Sequence, residues 1–119
     1  MSKPLFSGSA KSGTSDAWNM RVTAVALVPL TIGLVAVVLS LSGKDYAAAR
    51  AELGHPIPAL ILLLFILTGI FHMKLGMQSI IDDYVHDAHL KEWSLIANLC
   101  FSVCIGLACI YAALKLSFS

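Results

Sequence analysis

Charge is what this sequence has least of. Asp, Glu, Lys and Arg make up only 13% of its 119 residues, while 58% are hydrophobic. Soluble domains run nearer a quarter charged and half apolar, so an ordinary water-facing domain is excluded. Residues 22–41 and 93–114 hold no charged side chain across twenty and twenty-two positions. A net charge of +1 without a basic patch gives nothing for nucleic acid to bind. No Gly-rich dinucleotide fingerprint is present, and too little chain lies outside the apolar runs for a soluble catalytic domain. Cysteine is scarce as well. Cys100, Cys104 and Cys109 all fall in the third apolar run, without the C-x-x-C spacing and further ligands of a metal or iron–sulfur site. They read as small buried hydrophobes. Residues 1–17, rich in Ser, Gly and Lys, lack the apolar core of a secretory signal and the arginines of a transit peptide. They are expected to form a flexible extramembrane tail, with Asp16 capping the first helix and Trp18 at the membrane interface.

What is present is three apolar runs of bilayer length. A helix crosses the hydrocarbon core with about 20 residues, and residues 22–41, 57–81 and 93–114 all reach that length. In lipid, backbone groups must be satisfied within the segment, so each run is a helix. The expected fold is an all-α membrane protein with transmembrane helices over about 18–42, 57–81 and 93–115. Residues 18–119 then form one three-helix domain. Pro29 and Gly33 in the first helix predict a kink or a close helix contact. The first loop, 42–56, contains Tyr46, Ala47, Ala48, Ala49 and Arg50, a segment of high helix propensity that suits a short interfacial helix. Pro56 and Pro58 open the second span, where missing amide donors cost little. The second loop is expected over 82–92. Basic residues favour a cytoplasmic N-terminus by only four to three: Lys3, Lys11, Arg21 and Lys91 against Lys44, Arg50 and Lys115.

His72 is the exception to the apolar pattern. An ionisable group inside a spanning helix is expensive and points to function, and neutral imidazole is a common metal and haem ligand. At 100° per residue, Phe65, Thr68, Gly69, Gly76, Ser79 and Asp83 share its face. Two readings of this stripe stand side by side. Gly69 and Gly76 leave room for a flat group beside the imidazole, or they make a small-residue helix contact while His72 bonds a neighbouring helix. If His72 ligates a six-coordinate haem iron, another chain or another copy of this one must supply the other ligand, because His55, His86 and His89 lie in loops. That reading makes the protein part of an oligomer. His86 and His89 read as solvated loop residues. Lys74, on the opposite side of the helix, reads as snorkelling to the headgroups. Tyr84 alone reads as an interfacial tyrosine.

His72, Gly76, Asp83, Tyr84 and Val85 together resemble the HxxxGxxxxxxDYV signature of the small, hydrophobic, cytochrome b-type membrane anchors of succinate dehydrogenase. Arg21, Thr23 and Ala24 resemble that family's RxTA segment. The resemblance covers nearly the whole chain. It implies a membrane-anchor subunit of complex II, in which electrons from succinate pass through flavin and iron–sulfur clusters of two soluble subunits to ubiquinone. It further implies that His72 is one axial ligand of haem b and its iron, the other coming from a second membrane-anchor subunit, which makes the chain part of a heteromeric helix bundle. Tyr84 would hydrogen-bond a quinone carbonyl, Asp83 would support that site, and Arg21 would lie near the haem propionates or the quinone pocket. The doubled Asp82–Asp83 departs from the pattern; motif spacing and stripe both select Asp83. The implied partners are the second membrane anchor, the iron–sulfur subunit, the flavoprotein and the lipid bilayer. The implied location is a bacterial inner membrane, with the mitochondrial inner membrane as the alternative. Rival readings are the anchor of a quinol:fumarate reductase and a haem-free structural three-helix subunit or small transporter component.

Overall fold

A computed structural model describes residues 3–118, with side chains described from Thr14 onward. It contains four helices and no strand among the described residues. α1 spans Lys3–Leu41, α2 Tyr46–Leu53, α3 Pro56–Tyr84 and α4 Ala88–Phe118. Three of them, taken as Thr14–Leu41, Pro56–Tyr84 and Ala88–Phe118, are long and apolar enough to cross a membrane, with mean hydropathies of 2.6, 2.2 and 2.2. The expected all-α membrane architecture is therefore the observed one.

Several boundaries differ from expectation, each for a local reason. No break in α1 marks residue 17: the helix runs on from Lys3, and Asp16 lies inside it instead of capping it. Extending a formed helix adds a bond per residue fixed, whereas a new start carries the cost of nucleation. α3 continues past 81 through Asp82, Asp83 and Tyr84. It stops where Val85 turns extended, with its N–H on the Ile81 carbonyl at 3.0 Å. α4 starts before 93, because Asp87 caps it by accepting from the Leu90 N–H at 2.8 Å. The loop expected over 82–92 shrinks to residues 85–87, a tight antiparallel connection.

At the other end, Gly43 takes φ +82, a left-handed conformation that suits glycine and ends α1 sharply. The short interfacial helix expected after it is α2, capped by the Asp45 side chain on the Ala48 N–H at 2.8 Å. Glu52 of α2 pairs with Lys44 and accepts from Ser40 of α1. Those hydrogen bonds, Lys44 first, hold its carboxyl below the ordinary carboxylate range. α3 opens on Pro56 after His55.

α3 is the middle element, packed between α1 and α4. Small residues bring the helices together, as expected where lipid replaces water and close packing drives association. A Cβ on Gly33 of α1 would meet Ile61 of α3 at 3.4 Å, and one on Gly106 of α4 would meet Ile70 at 3.4 Å. Asn98 of α4 donates to the Lys74 carbonyl at 3.0 Å, and Ser117 donates to the Leu53 carbonyl at 3.2 Å. The buried hydrophobic side chains are few: Val37, Leu75, Ile81 and Ala113. Most of the apolar surface faces outward, including Val25, Val28, Ile32, Leu64, Leu67 and Leu107.

Candidate functional site

The seam between α1 and α3 carries three polar contacts from side chain to side chain. Because the helices are antiparallel, residues descending in α1 meet residues ascending in α3. Thr23 meets His72, Met20 meets Ser79, and Asp16 meets Gln78. The Thr23 hydroxyl oxygen lies 2.8 Å from His72 Nδ1. Ser79 Oγ donates to Met20 Sδ at 3.6 Å, and Gln78 Nε2 donates to Asp16 Oδ2 at 2.9 Å. Asp16, expected as a cap, is thus a cross-helix acceptor for a glutamine that lipid would otherwise leave unpaired.

His72 is half-buried. The two readings of its stripe separate here. Within this chain Gly69 and Gly76 touch no neighbouring helix: a Cβ on either would meet no atom within 4 Å. Between the helices of this chain the small-residue contacts are made by Gly33 and Gly106. His72 does bond a neighbouring helix, through one ring nitrogen. The other nitrogen, Nε2, has no hydrogen bond among the described residues. The face therefore offers an imidazole fixed at one end and open space above and below it. A bulky flat group held at this imidazole needs clear helix surface on both sides of the ring, so the residues present fit a haem.

Asp83 and Tyr84 close the last turn of α3, both exposed, Tyr84 by 76%. Twelve positions separate Tyr84 from His72, about 18 Å along a helix. Asp82 is exposed as well, and its carbonyl takes a long contact of 3.4 Å from the Lys91 ammonium. Arg21 is exposed, about 200° around α1 from Thr23, so the bond that reaches His72 comes from Thr23 and not from Arg21. His86 and His89 are exposed. Cys100 and Cys104 are free and exposed, against the expectation of burial, because that face of α4 turns away from α3; Cys109 is half-buried. No cluster of three or more His, Cys, Asp or Glu occurs among the described residues. Sequence reasoning overlooked Thr23 as a partner of His72. Its signal was present, a hydroxyl on an apolar helix, but nothing local tells which residue of another helix it meets.

The family described as the transmembrane subunit of succinate dehydrogenase and fumarate reductase matches residues 1–110. The chain belongs to this family. Among its relatives is the succinate dehydrogenase hydrophobic membrane anchor subunit of Paracoccus denitrificans, 41% identical over 106 residues, covering 89% of this chain and 78% of the relative. The subunits of the same description from Rickettsia bellii and Rickettsia conorii are 35% and 30% identical. They cover 88% and 82% of this chain, and 84% and 78% of their own length. No solved structure gives a match of comparable significance. As a membrane anchor of the succinate dehydrogenase family, the chain has a reason for three spanning helices and an outer surface that is apolar nearly throughout.

Proposed function

We propose that this anchor serves succinate:quinone oxidation in a bacterial inner membrane by holding one side of a b-type haem and part of the quinone site. The observation that carries the reading is His72: a histidine in the middle of a spanning helix, bonded through Nδ1, with the open faces of Gly69 and Gly76 beside it. His72 Nε2 would hold the haem iron from this chain, with a second membrane subunit supplying a further ligand. Bound there, haem b supplies a one-electron store inside the bilayer. Arg21 would lie near the haem propionates or the quinone pocket, for which a guanidinium is suited, although it leaves α1 on the side turned away from Thr23 and His72.

Quinone chemistry belongs at the other end of the stripe. Reducing a quinone to quinol takes two electrons, from an iron–sulfur partner subunit, and two protons. Charge develops on the carbonyl oxygens as the electrons arrive, and a donor already aimed at one of them stabilises it. Tyr84 supplies that hydroxyl at the membrane surface, and Asp83 adds a carboxylate at the same depth. The flavoprotein and iron–sulfur subunits would dock over this end. The same groups would serve a quinol:fumarate reductase run in the opposite direction, the alternative that the family's description also names.

A reduced-minus-oxidised spectrum of membranes holding the assembled complex tests the reading. The wild type is expected to show a low-spin b-type signal, and His72→Ala to lose or grossly alter it. An unchanged low-spin bis-histidine spectrum in His72→Ala overturns the haem assignment.

A further inference from the structure

We infer that Thr23 is the positioning residue for His72, its hydroxyl oxygen accepting the Nδ1 proton and so leaving the Nε2 lone pair free to ligate. The inference rests on the reading of His72 as an iron ligand and extends it to a residue on another helix.

The argument is a count of protons. Thr23 Oγ1 has three polar neighbours: the Asn19 carbonyl at 2.8 Å, the Met20 carbonyl at 3.1 Å and His72 Nδ1 at 2.8 Å. Carbonyl oxygens only accept, and a hydroxyl has a single proton to give. With that proton directed at the carbonyls three and four residues back, the side of Oγ1 facing the ring presents a lone pair. Nδ1 then has to hold a hydrogen for the 2.8 Å contact to be a bond. A neutral imidazole carries one ring proton, so Nε2 is bare. The opposite arrangement, with the hydroxyl turned to the ring, protonates Nε2 and removes the lone pair that a metal needs.

The site is also rigid. Threonine in a helix divides between two χ1 rotamers, and the bond to the preceding turn selects one of them. Thr23 is only 8% exposed, which leaves little access for a competing donor. Metal-bound histidines nearly always give their second ring N–H to an acceptor, which fixes the tautomer and makes the ligand more basic. A hydroxyl that is itself donating is polarised into a better acceptor. A more basic imidazole favours ferric over ferrous iron, so loss of the acceptor is expected to raise the haem midpoint potential.

The test compares Thr23→Val, which keeps the shape and removes the oxygen, with Thr23→Ser, which keeps the oxygen. Both are read in the assembled complex by redox titration and by the electron paramagnetic resonance g-values of the ferric haem. Thr23→Val is expected to move the midpoint upward and shift the highest g-value, with haem retained about ten-fold less firmly. Thr23→Ser is expected to match the wild type in all three. If Thr23→Val does not assemble, Thr23→Cys takes its place, since a thiol of near-serine size is a weak acceptor. A shift in Thr23→Cys but not in Thr23→Ser supports the inference. Wild-type potential and g-values in the oxygen-free variants overturn it. His72→Ala, run in parallel, separates the two claims. If its low-spin signal survives, both fall; if the signal is lost while Thr23→Val is unshifted, only the role of Thr23 falls.

Discussion

Replacing Tyr84 by phenylalanine removes one oxygen from a ring that is 76% exposed at the end of α3. Among the described residues nothing hydrogen-bonds that hydroxyl, so helix stability gives no reason for it to matter. A donor to a reduced quinone does. Losing one such bond to a developing charge corresponds to about 1.5–3 kcal/mol, or roughly ten-fold and upward in rate. Tyr84→Phe is expected to keep assembly and the haem spectrum while succinate:quinone activity falls by at least about ten-fold. Succinate oxidation with an artificial acceptor fed by the soluble subunits should persist. Undiminished quinone reduction and inhibitor sensitivity would leave Tyr84 as an interfacial anchor only. His72, Asp83 and Tyr84 could be picked out from the sequence because each breaks a local pattern: an imidazole in an apolar run, then acid and phenol where the run ends. The Thr23–His72 bond could not. It joins residues 49 positions apart, and an apolar helix has no strong moment to say which face meets its neighbour.

At the scale of the helices, the glycines divide into two kinds that sequence alone does not distinguish. Gly106 accommodates Ile70 of α3, and Gly33 accommodates Ile61. Gly69 and Gly76 accommodate nothing among the described residues. A large side chain should therefore act in opposite ways at the two kinds of site. Gly106→Leu is expected to push α4 from α3 and destabilise the fold by about 1–3 kcal/mol, the usual range for overpacking. Its haem and quinone functions should decline together, as assembly does. Gly76→Leu should leave the packing of the three helices intact while haem incorporation falls, since the leucine would fill the space beside His72. Haem per assembled complex, measured against subunit yield, distinguishes them. Normal haem content in Gly76→Leu would show that this face is covered by something smaller. The helix types and approximate spans were legible because length and hydropathy dictate them. The ends were less so. Polar residues such as Asp82, Asp83 and His89 look like loop, yet they extend α3 and α4 because helical backbone can continue beyond the apolar core into the interfacial region. Asp87, acting as the cap, sets the start of α4.

The whole molecule is better understood as part of an assembly than as a folded unit in isolation. Its three spans pack in a row with α3 in the middle, and few hydrophobic side chains are buried within the chain. Lipid covers outward-facing Val, Leu and Ile without penalty, but it does not solvate an imidazole nitrogen or the glycine-walled space beside it. One open face of the α1–α3 seam thus has chemistry that lipid alone leaves incomplete. A second membrane subunit with its own buried ligand would complete it, with haem bridging the two. If so, haem and partner should stabilise each other, because a ligand that binds only the assembled state favours assembly by mass action. Expressed without its partners, the chain is expected to accumulate poorly and to be degraded. Coexpressed with them in mild detergent, it should copurify with one further membrane subunit and two soluble ones. Blocking haem synthesis should lower the yield of the membrane pair more than that of the soluble pair. A stable, monodisperse single chain without haem or partners would show that the three helices suffice alone, and the shared-haem arrangement would have to be abandoned.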